Sequence, residues 1–143
     1  MGLPDPVPGL VIRYAFLWRD EARRGMDEGS KDRPCAILLS VFDAAGEKRV
    51  TVLPVTHSPP RNPALAVEIP AATKHRLGLD DQPSWIVLTD ANCFIWPGPD
   101  LRPQVGGDIS SVAIGLLPRG LYNELREKFI AAVRSRTTGI VGR

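Results

Sequence analysis

The sequence contains little cysteine, which limits the kinds of site and compartment that suit it. Only two cysteines occur among the 143 residues, Cys35 and Cys93, and each lies in an apolar run that predicts a strand. Two isolated thiols supply neither the disulfide framework of small secreted proteins nor the paired cysteines of zinc sites. We therefore expect a reducing, cytoplasmic location, no metal or other cofactor, and cysteines that only fill space in the core.

Long apolar runs and an excess of one charge are also absent. No stretch approaches the ~20 apolar residues of a membrane span, and the proline-rich residues 1–8 lack the basic and apolar regions of a secretion signal. The 18 basic and 16 acidic side chains nearly balance, so the net charge of +2 excludes a polycation but is compatible with a local basic groove. We expect a single domain over residues 1–143 that makes no membrane contact.

The strongest pattern in the chain is a β-hairpin between residues 33 and 58. Residues 35–42 are almost continuously apolar, and residues 49–55 alternate basic or hydroxyl side chains with valine and leucine. Residues 43–46 place an aspartate where turns begin and a glycine where φ can be positive. The pattern predicts two antiparallel strands joined by a tight turn.

The length of the turn decides which residues meet at the open end of this hairpin. A two-residue loop sets Arg33 opposite Thr56, whereas a three-residue loop closed by Gly46 shifts the register and brings Arg33 nearer to His57. In either register, Arg33, Thr56, His57 and Ser58 converge on one rim. We expect the function to reside at this rim.

A helix is predicted over residues 118–136. Pro118 suits a first helical turn, and basic residues near the other end suit a helix C-terminus followed by a frayed tail. Apolar side chains recur at about four-residue spacing, at Leu121, Leu125, Phe129 and Ala132 or Val133. The helix is therefore expected to bury one stripe of its surface.

The remaining segments predict short strands and loops. Residues 19–32 form a charged loop with at most one helical turn, and residues 97–107 form an exposed loop rich in proline and glycine. About six strands in all, followed by one helix, indicate a mainly β fold, a small curled antiparallel barrel with the helix packed against it. Beyond the hairpin, strands are expected at residues 10–18, 66–69, 84–89 and 93–96, with a turn at 90–92 and a brief helix at 71–77.

Several segments follow one another in an order known from one protein family. Gly9 precedes an apolar strand, Arg33-Pro34 precedes the strand CAILLS, and a strand ends in Pro54-Val55-Thr56-His57. The strand at 84–89 and the helix at 118–136 complete the series. In this order the chain resembles the MazF/PemK toxins, also called Kid-like, whose SH3-like barrel is shared with the CcdB gyrase poisons. The resemblance covers most of the chain.

The resemblance implies an SH3-like antiparallel β-barrel with a C-terminal amphipathic helix. It also implies a toxin of a type II toxin–antitoxin system: a homodimeric, metal-independent endoribonuclease that cuts single-stranded RNA and is neutralised by an antitoxin whose extended tail occupies the RNA groove. The family's arginine corresponds to Arg33 and its hydroxyl residue to Thr56. The chain departs from the family at residues 28–34, which lack the usual glutamine, and at Thr89-Asp90, which replaces an acid–glutamine pair.

RNA carries its own nucleophile, which reduces what a protein must supply. When the 2′-OH attacks the adjacent phosphorus, the protein has to align the strand, move protons and stabilise extra negative charge. Arg33 suits the last task because a guanidinium stays protonated and offers forked donors to phosphate oxygens. Thr56 is expected to donate to a phosphate oxygen or to orient the 2′-OH, and His57 to act as general base or acid.

Further residues are candidates for holding the RNA. Bases stack on aromatic rings, and phosphates bind to basic and hydroxyl side chains. The candidates are Tyr14, Trp18 and Trp85 for stacking, with Arg23, Arg24 and Ser58 for phosphates. Each class also has a structural interpretation, because tryptophans commonly fill cores or dimer interfaces and an arginine at a strand start commonly pairs with an adjacent acid such as Asp32.

Two other functions are compatible with the same sequence. A protein-binding poison of the gyrase-inhibitor type would use the C-terminal helix and residues 134–143, and it would need no catalytic side chain. A barrel that serves as a catalytically inactive binding or regulatory module would explain the altered loop and the missing glutamine. Replacement of Arg33 separates these functions from the nuclease, because only the nuclease depends on that side chain.

Overall fold

The computed structural model describes residues 2–26, 29 and 31–143, and it is mainly β with a C-terminal helix, as predicted. Two short 3₁₀ turns, Pro63–Leu65 and Ile109–Val112, connect its regular elements. The described strands and helices are β1 (Leu10–Tyr14), α1 (Arg19–Arg23), β2 (Arg33–Phe42), β3 (Lys48–Thr56), β4 (Ala66–Glu68), α2 (Ala71–Arg76), β5 (Trp85–Val87), β6 (Asp90–Ile95), β7 (Ala113–Leu116), α3 (Arg119–Arg134) and β8 (Gly139–Gly142).

The strands form one mainly antiparallel sheet. Pairing follows the order β4-β5-β3-β2-β1-β7, with β6 also paired to β3 and β8 paired to β6 in parallel. β4 lies at one end of the order, as expected for a strand that Pro70 follows. Among the residues that the structure describes, no pairing joins β4 to β7, so closure into an SH3-like barrel stays a prediction.

Near its turn, the hairpin of β2 and β3 has the register of a three-residue loop. The Asp43 amide donates to the Glu47 carbonyl at 2.8 Å, and the Gly46 amide donates to the Asp43 carbonyl at 3.0 Å. Gly46 has a φ of 80°, which glycine adopts without strain. Phe42 therefore faces Lys48, the pairing that follows from a loop closed by glycine.

Farther from the turn, a bulge restores the other predicted register. The pairing shifts between Ile37 and Leu39, which leaves Leu38 as the extra residue of β2. Beyond the bulge Cys35 faces Pro54, the register that sets Arg33 opposite Thr56. Both predicted registers therefore occur, one in each half of the hairpin.

The carbonyl groups at the bulge are bonded by neighbouring elements. The Gly9 amide donates to the Ile37 carbonyl at 2.8 Å, and the Tyr122 hydroxyl donates to the Leu38 carbonyl at 2.7 Å. These bonds compensate for the interrupted ladder, because buried backbone groups need partners. They also fix α3, which carries Tyr122, to the central hairpin.

Pro54 lies inside a central strand because β3 changes neighbours around it. Val52 pairs with Asn92 of β6, whereas Val55 pairs with Ile86 of β5. Pro54 falls between these two ladders, where its missing N–H breaks neither of them. The change of neighbour leaves the end of β3 beside β5, at the rim where function is expected.

Residues 35–38 of β2 are buried on both faces, which explains their continuous apolar sequence. Ala36 and Leu38 belong to one apolar cluster, together with side chains from β3, β5 and α3. Cys35 and Ile37 belong to a second cluster, together with side chains from β1, β3 and β6. Each fully buried aliphatic side chain in such clusters contributes ~1.5–3 kcal/mol through burial.

The C-terminal helix confirms the predicted stripe. Leu125, Phe129 and Ala132 are buried, whereas Val133 is exposed, so Ala132 continues the stripe. No helix in the described ranges is both long and apolar enough to cross a membrane. The helix instead packs its stripe against the cluster that contains Leu38.

Two strands were missed, and one predicted tail is wrong. β7 and β8 have four residues each and carry little sequence signal beyond a few apolar side chains. β8 occupies the region where a frayed tail was predicted. It is held because the Gly139 amide donates to the Thr89 carbonyl at 2.8 Å and the Arg143 amide donates to the Cys93 carbonyl at 2.8 Å.

The turn predicted at residues 90–92 is also wrong. Asp90 and Asn92 begin β6, because their polar side chains bind the backbone that follows β1 rather than their own. The Arg19 amide donates to Asp90 at 2.9 Å, and Asn92 both accepts from and donates to the Leu17 backbone. Residues 15–18 belong to neither a strand nor a helix, so the first strand ends at Tyr14.

The loop over residues 97–107 is less exposed than predicted. Asp100 and Leu101 are buried, and Leu101 forms an isolated β-bridge with Tyr14. The Ala15 amide also donates to the Asp100 carbonyl at 2.9 Å. This loop is therefore anchored to the end of β1.

Candidate active site

A groove of about 610 Å³ opens at the predicted rim. It lies between the open end of the β2–β3 hairpin and the segment that follows α2. Five of the predicted site residues line it, namely Trp18, Arg33, Thr56, His57 and Ser58. The hairpin register explains this convergence, because it brings the first residue of β2 to the last residue of β3.

Arg33 is half-buried in the wall of the groove. Its Nη1 donates to the Val55 carbonyl at 3.1 Å, and its guanidinium lies 4.9 Å from the centre of the Trp18 ring. Burial lowers the pKa of Arg33, although an arginine remains protonated in proteins. A cation over an indole face is attracted by the ring. The side chain is therefore held in one position by strand and ring together.

One edge of the Arg33 guanidinium is not satisfied within the described part of the chain. Its Nε is buried and has no hydrogen-bond partner there. A buried donor without a partner costs ~1–3 kcal/mol and is rare in native structures. The Nε side of a guanidinium is one of the edges that bind carboxylate and phosphate oxygens in pairs.

The predicted structural alternative for Arg33 does not account for its position. Asp32 lies 3.5 Å from Arg13 and 3.5 Å from Arg102, so this neighbouring carboxylate serves other arginines. Among the ion pairs found between described residues, none joins Arg33 to Asp32. Asp32 therefore does not hold the Arg33 guanidinium in its place.

Thr56 and Ser58 stand where the backbone leaves β3. The Ser58 amide donates to the Thr56 hydroxyl at 3.2 Å, which orients that hydroxyl at the strand end. The hydroxyl can still donate its own proton, since this contact uses it only as an acceptor. Thr56 therefore offers one oriented donor to the groove, as expected from its place in the hairpin.

His57 is paired with a carboxylate across the groove. Its Nε2 lies 2.8 Å from Oδ2 of Asp80, and both side chains are about half exposed. Asp80 Oδ1 in turn accepts from Lys74 Nζ at 2.7 Å and from the Gln82 amide at 3.1 Å. The hydrogen bond from Lys74 holds the pKa of Asp80 below its ordinary 3.8, with smaller contributions from His57 and from Gln82. Asp80 is therefore ionised at neutral pH.

Lys74 is a buried cation behind that carboxylate. Its side chain is 5% exposed, and Nζ donates to Asp80, to the Gln82 carbonyl and to Ser84 Oγ at 2.6 Å. Three acceptors match the three protons of an ammonium. The lysine thereby ties α2 to the segment of residues 80–84 and fixes the position of Asp80.

Three predicted RNA contacts do not line the groove. Trp85 lies on β5 opposite Thr56, but its side chain is not part of the lining. Arg23 is 70% exposed and lies 3.8 Å from Asp20, while Arg24 caps the C-terminus of α1. Both arginines are exposed and outside the groove, so phosphate contacts from them stay a prediction.

The other aromatic candidates are engaged inside the protein. Tyr14 is fully buried and stacks on Phe94 at a ring distance of 4.8 Å, so a base cannot reach it. Trp18 lines the groove, but Arg33 covers its ring and Phe16 packs against it edge to face at 5.2 Å. The main role of the Trp18 ring is therefore to orient Arg33, rather than to stack on a base.

Sequence reasoning missed Lys74, Asp80 and Ser84, which form the far wall of the groove. One signal was present. Lys74 lies three residues before Leu77, so it shares the apolar face of α2, where an unpaired charge is costly. Asp80 gave no signal of its own, because its contact with His57 depends on how α2 packs.

The charges that line the groove are mixed. Lys31, Arg33 and Lys74 are basic, whereas Asp32 and Asp80 are acidic. Within the described residues there is no cluster of three or more histidine, cysteine, aspartate or glutamate side chains that could hold a metal ion. The arrangement offers a fixed cation, an oriented hydroxyl and a histidine that can transfer a proton.

Comparison with known proteins does not assign the chain to a family. No family model matches the sequence, and no curated protein matches it. The resemblance to the MazF/PemK toxins therefore rests on the sequence motifs given above.

Proposed function

We propose that this protein is a MazF/PemK-like toxin of a type II toxin–antitoxin system, an endoribonuclease that cuts single-stranded RNA without a metal. The observation that carries the proposal is the convergence of Arg33, Thr56 and His57 in one groove at the end of the central hairpin. These side chains supply the charge, the donor and the proton acceptor that cleavage by the 2′-OH requires. Lys31 also lines the groove, and this second basic side chain supports the binding of a phosphate chain.

The reaction balances with these groups and one water molecule. His57 takes the proton of the 2′-OH as its oxygen bonds to the adjacent phosphorus. Arg33 and Thr56 donate hydrogen bonds to the phosphate oxygens, whose negative charge grows. The bond to the 5′-oxygen then breaks, and that oxygen takes up a proton from water. The hydroxide that remains takes the proton from His57, which restores the neutral imidazole. The products are a 2′,3′-cyclic phosphate and a 5′-hydroxyl end.

The proposal includes partners that follow from the resemblance. The toxin acts in the cytoplasm as a homodimer, and a cognate antitoxin neutralises it by laying an extended segment in the groove. Support for the second partner comes from the groove itself, which is open at the surface and presents Arg33 to an acidic chain. A short reading frame beside the gene that encodes an acidic protein would support this part of the proposal.

Incubation with a long single-stranded RNA in excess EDTA tests the activity. We expect discrete cuts by the wild type, with 2′,3′-cyclic phosphate ends. Arg33→Lys keeps the charge but loses the fork, so we expect its cleavage rate to fall by on the order of 10². Arg33→Ala lies at or below that rate. Arg134→Ala removes an exposed arginine at the end of α3 and serves as the matched control.

The outcomes separate the three functions. Cuts that persist unchanged in Arg33→Ala point to a contaminating nuclease and contradict the proposal. A folded wild-type dimer that leaves every RNA intact also contradicts it. If RNA stays intact, expression of the protein in cells separates the other two functions. Growth arrest that persists with Arg33→Ala favours the protein-binding poison, and absence of arrest favours the binding module.

A further inference from the structure

The contact between His57 and Asp80 determines which nitrogen of the imidazole can accept a proton. Asp80 is ionised, so its Oδ2 can only accept a hydrogen bond. The Nε2 of His57, 2.8 Å away, must therefore carry the proton of that bond. The lone pair of the neutral ring is then on Nδ1, the nitrogen that is left to act as a base.

Asp80 can fix the ring only because its own position is fixed. Its Oδ1 accepts from Lys74 and from the Gln82 amide, while its Oδ2 faces His57. Lys74 is buried and also bonds to Ser84, so this anchor does not move with the solvent-exposed surface. The order of contacts is cation, carboxylate, imidazole, in which each group orients the next.

We propose that Asp80 and Lys74 are positioning residues of the nuclease: Lys74 holds Asp80, and Asp80 holds His57 in the Nε2–H tautomer with Nδ1 free to take the 2′-OH proton. This inference rests on the proposed function for the reaction, but the tautomer is a property of the protein without RNA. Neither residue is required to touch the substrate.

The charges around His57 were considered together, because any of them can influence the ring. The charged side chains that share its groove are Lys31, Asp32, Arg33, Lys74 and Asp80. Asp32 is engaged by Arg13 and Arg102, and Arg33 is bound to the Val55 carbonyl. Of the charged groups in the described part of the groove, only Asp80 is within hydrogen-bond distance of the ring.

Nitrogen NMR of the imidazole tests the tautomer directly. The chain has two histidines, so His75→Gln leaves His57 as the single ring to observe. In that background we expect the neutral ring of His57 to be protonated at Nε2. In Asp80→Asn the carboxylate is lost, so both tautomers become populated. Asp81→Asn makes the same change at the next residue, which borders a neighbouring cavity of about 350 Å³ and is not among the residues that line the groove, so we expect the tautomer to stay unchanged.

Cleavage kinetics test the consequence. We expect Asp80→Asn to lower kcat by on the order of 10², since general base catalysis contributes about that much, with little change in KM. Lys74→Met keeps the packing of the stem and lowers kcat by on the order of 10, as loss of an outer-shell partner does. Asp81→Asn cleaves like the wild type.

Failure of this inference differs from failure of the proposed function. A His57 ring that is protonated at Nδ1 in the wild type, or that keeps its tautomer in Asp80→Asn, overturns the inference even if the enzyme is active. An active wild type whose Asp80→Asn variant matches Asp81→Asn in kcat also overturns it. An inactive wild type overturns the nuclease proposal, and the NMR result still decides whether Asp80 holds the ring.

Discussion

In the described part of the chain two arginines lie over aromatic rings, and they differ in how many hydrogen bonds they donate. The Arg143 side chain is 4% exposed and is 3.1 Å from Asp100, while its Nη1 donates to Tyr14, Ala15 and Asn92 at 3.2, 2.9 and 3.0 Å. Its guanidinium lies 5.5 Å from the Tyr14 ring. Arg33 lies closer to its own ring, at 4.9 Å, but donates one hydrogen bond, to Val55.

The difference separates a structural charge from a functional one. Arg143 uses its donors to join β8, the end of β1 and the loop that carries Asp100, so a ligand has nothing to gain from it. Arg33 lines a groove, and its buried Nε has no hydrogen-bond partner in the described part of the chain. A cation–aromatic contact is therefore no guide to function by itself. The acceptors that surround the cation are.

The largest expected effect is on the free energy of unfolding when Arg143 is replaced. If this effect is absent, the contrast between Arg143 and Arg33 does not hold. Arg143→Met leaves Asp100 buried without its cation, and removal of one partner of a buried ion pair costs about 3–5 kcal/mol. Arg33→Met loses one hydrogen bond but keeps contact with Trp18, so we expect about 1 kcal/mol. Urea unfolding of the two variants, with Arg134→Met as an exposed control, gives these values.

A result in which Arg33→Met unfolds as readily as Arg143→Met contradicts the assignment. Arg33 would then be a structural residue whose orphaned donor has no connection with a ligand.

A smaller effect concerns a hydroxyl in the groove. Thr56→Val keeps the shape of the side chain but removes the donor, so we expect RNA cleavage to fall by on the order of 10². Thr56→Ser restores the donor and should recover most of the activity. Because Thr56 lies at a strand end, the unfolding midpoint of either variant should stay close to that of the wild type. Full activity in Thr56→Val would remove Thr56 from the mechanism.

The smallest expected effect is on the pH dependence of stability, and it concerns the Tyr14 hydroxyl, which accepts a hydrogen bond from Arg143. Burial raises the pKa of Tyr14, which the nearby Arg143 partly opposes. The unfolded chain therefore loses this proton near pH 10.0 while the folded chain keeps it, so the stability that Tyr14 contributes is complete below 10.0 and falls as the pH rises above it. Tyr14→Phe removes that part of the pH dependence.

Urea midpoints at about pH 8 and about pH 11, on either side of the ordinary tyrosine pKa, measure this loss. Tyr122, the second tyrosine, is less buried, and burial also raises its pKa. Tyr122→Phe should accordingly remove a smaller part of the alkaline loss. If the urea midpoint falls by the same amount between these two pH values in the wild type and in Tyr14→Phe, Tyr14 does not contribute to the loss of stability.

The hairpin and its rim were predictable because their signal is local. A continuous apolar run predicted β2, alternation of apolar and polar residues predicted β3, and turn chemistry limited the register to two choices. Arg33 and Thr56 then had to meet at one end. The bulge at Leu38 was not predictable from local sequence. The carbonyl groups at the bulge accept hydrogen bonds from Gly9 and Tyr122, which are distant in sequence.

The residues that sequence reasoning missed all depend on distant partners. β7 and β8 are too short to show a period, and their pairing with β1 and β6 selects them. Asp90 and Asn92 have turn-forming side chains, but the backbone of residues 17–19 uses those side chains instead. Asp80 meets His57 only after α2 has packed through Lys74.

The bulge at Leu38 also separates the hairpin into two halves with different strand registers. Residues on the turn side of it follow one register and residues on the groove side follow the other, so a change in the turn is absorbed before it reaches Arg33 and Thr56. Residues 44–46 are exposed and carry no part of either apolar cluster. The tip of the hairpin is therefore a natural place to splice in a reporter sequence that leaves the groove as it is.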